Sequence, residues 1–74
     1  MPRLVILAYE FIKKVGCTKL EDVARYIAEK TGRKYNTNLL KDVHDAVSSL
    51  VRGGTVIKIA HGYYCIHEEK RVER

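Results

Sequence analysis

The chain has little of what marks a multidomain, secreted or membrane-spanning protein. It contains one proline and no serine- or glycine-rich stretch that would serve as an interdomain linker. Its longest apolar run, Leu4 to Ala8, is far too short to cross a bilayer of about 30 Å. A secretory signal would need a longer apolar stretch and a small-residue cleavage site. We therefore expect a single small domain that acts in the cytoplasm.

The residue patterns of catalysis are also missing. There is no Ser/His/Asp order and no carboxylate pair with an identifiable cleft, and Gly53-Gly54 lacks the Lys-Ser/Thr of a phosphate-binding loop. Cys17 and Cys65 are too few for a secreted disulfide scaffold. Together with His67 they offer three zinc ligands, but without CxxC or HxxxH spacing. We expect neither an enzyme nor a metal or other cofactor.

Positive charge is what the chain has in excess. Lys and Arg number 14 against 9 Asp and Glu, which gives a formal net charge of +5 and a pI of about 9.4. Hydrophobic residues make up 46% and charged residues 31%, as is typical of a folded soluble domain. The charge favours an acidic partner, with nucleic acid ahead of an anionic membrane surface.

Glycines divide the chain into three segments of helical length and two of strand length. The first, residues 3–15, has a predicted inward stripe of Leu4, Leu7, Ala8, Phe11 and Val15. The second, residues 18–31, opens on a predicted capping box in which the Thr18 hydroxyl and the Glu21 carboxylate bind each other's backbone amides. A short turn follows, and the third helix is predicted from Asn38 to Gly53-Gly54.

The last two segments predict a β-hairpin whose turn is His61-Gly62. With those two residues in the turn, Ile59 opposes Tyr64 and Ile57 opposes Ile66, which predicts one apolar face. Val56 breaks the alternation, so a bulge or an edge contact is expected near it. We take residues 1–67 as the domain and residues 68–74 as a charged tail.

The end of the third helix and the start of the hairpin carry a recognisable spacing. Val47, Leu50, Gly54 and Val56 resemble the Leu/Val-x-x-Leu-x-x-x-Gly-x-Val/Ile pattern of winged helix-turn-helix proteins, and Tyr64-Cys65-Ile66 resembles the aromatic-x-aliphatic pattern of their returning strand. The size of the chain is similar to that of minimal archaeal and prokaryotic-virus regulators of this class. The resemblance implies an α+β fold of three helices followed by a two-stranded hairpin, the wing.

The same resemblance implies sequence-specific binding to double-stranded DNA by a transcriptional regulator. The third helix would enter the major groove and the wing would contact the backbone or the minor groove. A short strand near Gly16-Cys17-Thr18 would pair beside the last strand and bring Cys17 close to Cys65. A disulfide between them and two buried free thiols are both open, and we prefer the free thiols.

Positions that point away from the apolar stripe of the third helix are the expected base readers, together with residues at its start. They are Asn36, Thr37, Asn38, Lys41, His44, Asp45 and Ser48. Asp42 and Asp45 would repel phosphates unless a neighbour such as Lys41 neutralises them or one of them accepts from cytosine. The expected contacts to the DNA backbone are Lys30, Arg33, Lys34, Arg52, Lys58 and His61.

One recognition helix offers too little surface for a specific site, so we expect a homodimer on a palindrome. The outward side of the first helix is the expected contact, through Val5, Ile6, Tyr9 and Ile12, with the charged tail as a second possibility. The alternative function is a winged-helix adaptor that binds another protein without reading DNA, because Asp42 and Asp45 weaken the DNA hypothesis.

Overall fold

Three helices and a three-stranded antiparallel sheet make up the computed structural model, which describes residues 3–67. The elements are α1 (Arg3–Val15), β1 (Cys17–Lys19), α2 (Leu20–Thr31), α3 (Thr37–Arg52), β2 (Val56–Ala60) and β3 (Tyr63–Ile66). The α+β class is as predicted. The sheet has three strands in the order β1-β3-β2, instead of the two predicted for the hairpin. Residues 1–2 and the expected tail, 68–74, lie outside the described residues.

The buried side of α1 is wider than the predicted stripe and is centred differently. Ala8 and Ile12 are completely buried, whereas Val15 at the end of the helix is 47% exposed. The reason is that α1 packs against both other helices, with the Phe11 ring stacked on the Tyr26 ring of α2 at 4.8 Å. The predictions that Val15 lies in the core and that Ile12 lies on the surface are both wrong.

The chain enters α2 through a strand and not through a capping box. Thr18 lies in β1 opposite Tyr64 and is buried, and its hydroxyl is 3.3 Å from the Lys19 carbonyl oxygen. Lys19 is the residue before the helix, and no side chain caps it. The predicted Thr18–Glu21 capping box is therefore wrong, because pairing with β3 holds Thr18 in the sheet. The third strand agrees with the one that the winged-helix resemblance implies.

A side-chain cap defines the start of α3, and a glycine with left-handed backbone follows its end. The Asn36 side-chain oxygen accepts a hydrogen bond of 2.9 Å from the Leu39 backbone N–H, which starts the helix. Gly54 takes a left-handed φ of +83° and turns the chain toward β2. Between these ends α3 contributes to the core the residues Leu39, Val43, Ala46, Val47 and Leu50.

The hairpin turns at His61-Gly62 as predicted, but its register differs from the prediction. Val56 opposes Ile66 and Ile57 opposes Cys65, and an irregularity follows between Lys58 and Ala60. Val56 is consequently buried, whereas Ile57 and Ile59 are 41% and 51% exposed. The single apolar face predicted for Ile57, Ile59, Tyr64 and Ile66 is wrong, because the bulge lies near the turn and not at Val56.

The sheet adds little to a core that is mainly helical. Of the cluster of buried hydrophobic residues, all lie on helices except Val56 and Tyr64. Cys17 and Cys65 are directly opposed in β1 and β3 and form a disulfide on the other face of the sheet. Cys17 is exposed and Cys65 is half-buried. The preferred prediction of two buried free thiols is therefore wrong, and the disulfide that it competed with is present.

Candidate nucleic-acid interface

The outward side of α3 is polar along its whole length. Because Leu39, Val43 and Val47 are completely buried, the opposite side of the helix is left to solvent. The expected base readers on it are exposed except for Ser48, which is half-buried: Thr37, Asn38, Lys41, His44 and Asp45. Arg52 extends this exposed side at the end of the helix. A ligand with a polar, charged surface can reach all of these groups.

Two rows of side chains with different charge run along this side of α3. Lys41, His44 and Ser48 form one row, which we call the basic row. Asp42, Asp45 and Ser49 form the other, which we call the acidic row, and it borders a depression shared with Leu4 and Val5 of α1. The acidic row thus lies toward the start of α1. Repulsion of phosphates by its carboxylates acts mainly on that side of the helix.

An ion pair reduces the negative charge of the acidic row. The Arg33 guanidinium donates to the Asp42 carboxylate at 3.0 Å. The pair links the turn before α3 to the second turn of that helix. Both side chains are about half exposed, so the pair contributes little stability, but it holds Arg33 beside α3. The expected neutralising neighbour was Lys41, and the partner in the structure is Arg33.

The Asn36 side chain has a structural task at the start of α3. A bidentate contact with adenine uses both the oxygen and the nitrogen of the amide. The Asn36 oxygen already accepts from the Leu39 backbone N–H, so the cap competes with the predicted contact. Thr37 and Asn38, the next two residues, are exposed and keep their side chains available.

The tip of the β2–β3 hairpin lies beside the first turns of α3 and α2. His61 and Gly62 border a groove together with Leu40 of α3 and Leu20 of α2. The Leu20 backbone N–H donates to the Gly62 carbonyl at 3.0 Å and fixes the tip there. Lys58 is two residues beyond the buried Val56 and so lies on the same, helix-facing side of β2. Lys58 and His61, the expected contacts of the hairpin to the DNA backbone, therefore lie on the side of the hairpin that is turned toward the helices.

The other expected backbone contacts do not form one cluster. Lys34 is exposed in the turn beside the paired Arg33. Lys30, in contrast, lies with its ammonium 5.6 Å from the centre of the Tyr26 ring and borders a depression with Ile6 and Leu7 of α1. Its side chain thus lies over Tyr26 and beside α1, and its contact to the DNA backbone stays a prediction.

A basic and aromatic pair near the turn was missed in the sequence. The Arg25 guanidinium of α2 lies 5.3 Å from the centre of the Tyr35 ring, and it also pairs with Asp22 at 3.2 Å. Tyr35 is 41% exposed. The signal that was available is an aromatic residue within the basic turn Arg33-Lys34-Tyr35, a combination that suits a sugar-phosphate surface.

The four residues expected at a dimer contact have three different environments. Ile6 is 53% exposed, and Val5 and Tyr9 are half-buried against the core. These three border one depression with Leu50 and Thr55. Ile12 is completely buried and is not available to a partner. The candidate contact is thus reduced to Val5, Ile6 and Tyr9, with Ile6 as its most exposed member.

Residues 3–67 contain neither a cluster of metal-ligand side chains nor a membrane-spanning helix. Within that range no group of three or more His, Cys, Asp or Glu side chains is arranged to hold a metal ion, and both cysteines are joined to each other. None of the helices in the same range has the length and apolar character needed to span a bilayer.

Comparison of the chain with known proteins returns no match to a protein-family profile, to a curated protein or to a solved structure.

Proposed function

We propose that the chain is a winged-helix protein that binds double-stranded DNA sequence-specifically and regulates transcription in the cytoplasm. In this proposal α3 enters the major groove and the β2–β3 hairpin is the wing on the backbone or minor groove. The observation that carries the proposal is that Lys41 and His44 are exposed on α3, the helix whose Leu40 borders the groove at the hairpin tip. The net charge of +5 favours the same polyanionic ligand.

The exposed groups of α3 have the chemistry for reading bases. Lys41 suits the acceptor atoms of guanine, Asn38 suits adenine, and Asp45 can accept from cytosine. Thr37, His44 and Ser48 add hydroxyl and imidazole groups that adapt to several bases. The phosphate contacts fall to residues around this surface, namely Arg33, Lys34, Arg52, Lys58 and His61.

A homodimer is part of the proposal because a single helix of this length reads only a short half-site. The contact uses Val5, Ile6 and Tyr9, which border one depression on α1. Two copies related by a twofold axis would place two α3 helices on a palindrome. Sedimentation that finds only monomer at tens of micromolar, a roughly chosen range, would remove the dimer but not DNA binding.

The first test is binding to a pool of mixed duplexes as the salt concentration rises. A protein that contacts several phosphates loses affinity steeply with salt, with a slope of about −0.9 for each phosphate. Lys41→Ala and Arg52→Ala are each expected to weaken binding and to lower the slope by about 1 where the lost contact is to a phosphate. Lys14→Ala is the matched control, since it removes one positive charge from the end of α1. Salt-independent binding, or none, contradicts the proposal.

The competing function is a winged-helix adaptor that binds a protein. Exposed Ile57, Ile59 and Tyr63 on the hairpin favour it, because apolar side chains of this size are common at protein contacts. An adaptor would be indifferent to Lys41→Ala and Arg52→Ala in the duplex assay. Selection of bound sites from random duplexes separates the two functions further, since only a DNA reader enriches a sequence.

A further inference from the structure

The Cys17–Cys65 disulfide lies where it controls the attachment of the hairpin. Cys17 belongs to β1, which joins α1 to α2, and Cys65 belongs to β3. The two residues are directly opposed, and the Ile66 backbone N–H donates to the Gly16 carbonyl at 2.8 Å next to the bond. The bond therefore fastens one edge of the hairpin to the segment between two core helices.

Besides the disulfide, this edge is held by the short β1–β3 pairing and by the buried pair Thr18 and Tyr64. β1 has three residues, and a strand pairing of that length is marginal by itself in water. The last hydrogen bond along this edge, from Leu20 N–H to the Gly62 carbonyl at 3.0 Å, also fixes the hairpin tip. The other end of the hairpin is held independently, because the Thr55 backbone N–H donates to the Leu50 carbonyl of α3 at 3.0 Å.

The helices do not depend on this edge to the same degree. The buried hydrophobic cluster is built from α1, α2 and α3, and the sheet adds only Val56 and Tyr64 to it. Val56 follows α3 directly through Gly54 and Thr55 and belongs to the end of the hairpin that stays attached. Loss of the disulfide thus removes support mainly from the β1–β3 edge and the tip.

We propose that the Cys17–Cys65 disulfide is a redox-sensitive latch, whose reduction by a dithiol releases the β1–β3 edge and the hairpin tip while the three helices stay folded. The latch goes beyond the proposed function, and only its effect on DNA affinity rests on that function. The exposed Cys17 is the accessible sulfur for an attacking thiolate, and its exposure makes the bond open to reduction.

The reduction balances as an ordinary thiol–disulfide exchange. A thiolate of the dithiol attacks the Cys17 sulfur and forms a mixed disulfide, while the Cys65 sulfur leaves as a thiolate and takes a proton. The second thiol of the reductant, deprotonated, attacks its own bonded sulfur and releases the Cys17 thiolate, which is also protonated. The protein gains two electrons and two protons, and the dithiol is oxidised to a cyclic disulfide.

The test is amide hydrogen exchange, resolved by residue, on the intact chain with and without dithiothreitol, with alkylation to verify that both thiols are free. In the reduced protein the Ile66 and Leu20 amides are expected to lose protection. The amides of Val43 and Val47 in α3 should remain protected at least about tenfold better than those two.

Two results would overturn the latch. In the first, the amides of α3 and of the β1–β3 edge lose protection together, which would make the disulfide a staple of the whole fold. In the second, Ile66 and Leu20 stay protected after reduction, which would make the bond redundant. The double variant Cys17→Ser/Cys65→Ser is the control, and it should behave as the reduced protein does and ignore dithiothreitol.

A duplex-binding arm connects the latch with the proposed function. Reduction is expected to weaken binding to the mixed duplexes at least about fivefold, since the released tip carries His61 and borders α3. If the protein binds no DNA in either state, the proposed function fails while the exchange result still decides the latch. If DNA affinity is the same in both states although the edge opens, the latch does not regulate binding and that part is overturned.

Discussion

α1 and α3 are both amphipathic helices that fill the same core, but their outward sides differ. The outward side of α3 carries only polar and charged groups, with Lys41, His44 and Asp45 exposed. The outward side of α1 carries Ile6 at 53% exposure, between half-buried Val5 and Tyr9. One surface is suited to a hydrated polyanion, and the other to an apolar partner.

Burial of an inward apolar stripe accounts for the pattern of apolar and polar residues in α3. In α1 it accounts for only part of that pattern, because Ile6 is apolar and exposed. Water satisfies the outward groups of α3, and a polar ligand can replace that water. Exposed Ile6 gains nothing from water, and a second copy of the chain would cover it. Substitutions that change one side of one of these helices at a time test whether the two surfaces have separate tasks.

The largest effect is expected on the inward side of α3. Leu39 is completely buried near the start of the helix, so Leu39→Ala removes apolar contacts and leaves a cavity. We expect the free energy of unfolding to fall by about 2–5 kcal/mol, measured by urea denaturation. The control is Lys41→Ala two residues later, which should change stability by less than about 0.5 kcal/mol. Equal effects at the two positions would show that α3 is not packed in this orientation.

The next effect concerns the two rows on the outward side of α3. His44→Glu places a negative charge in the basic row and is expected to weaken duplex binding at least about tenfold, which corresponds to about 1.4 kcal/mol. Ser49→Glu adds the same charge to the acidic row, which already holds Asp42 and Asp45, and should cost clearly less. Fluorescence anisotropy with labelled mixed duplexes measures both. A larger loss for Ser49→Glu would place the DNA on the other row.

A smaller effect is expected on the outward side of α1. Ile6→Lys puts a charge into the candidate contact of Val5, Ile6 and Tyr9, and should weaken dimerisation about tenfold, or roughly 1–2 kcal/mol. Sedimentation velocity over a concentration series measures the change. Val15→Lys is the matched control, because Val15 is also an exposed apolar residue of α1 but lies at its far end. Dimers unaffected by Ile6→Lys would have their contact elsewhere.

The smallest effect is expected for the ion pair between the turn and α3. Asp42→Asn removes a negative charge and frees Arg33, which now donates to that carboxylate. Because the pair is exposed, stability should change by less than about 1 kcal/mol. Duplex affinity at low salt should rise up to roughly fivefold, while Glu29→Gln on the outward side of α2 leaves it unchanged. Weaker binding by Asp42→Asn would mean that the carboxylate orients Arg33 for its contact.

Local patterns in the sequence were sufficient for the helices and for the position of the hairpin turn. The 3.6-residue period of α3, the glycine that ends α2 at Gly32 and the turn at His61-Gly62 all depend on near neighbours along the chain. The polar residues of α3 were therefore placed on the correct side. The ion pair of Arg33 was not found, since it joins residues whose distance depends on how the turn folds.

The predictions that the structure contradicts concern contacts between segments that are distant in the sequence. Thr18 followed by Glu21 has the pattern of a cap, but β3 supplies a strand partner that takes Thr18 instead. The prediction that Ile12 faces outward treated α1 as an isolated helix, whereas α1 packs against both other helices. The hairpin register depends on the position at which the bulge inserts its extra residue. The composition of the strands does not reveal that position.

The disulfide also makes a covalent ring of the chain between residues 17 and 65, a separation of 48 positions. The ring encloses α2, α3 and most of the sheet, and α1 lies outside it. Cleavage by trypsin after Arg33 or Lys34, in the exposed turn before α3, would therefore open the ring without dividing the protein. The nicked chain would run as one species on a denaturing gel until a thiol reagent separates its two pieces.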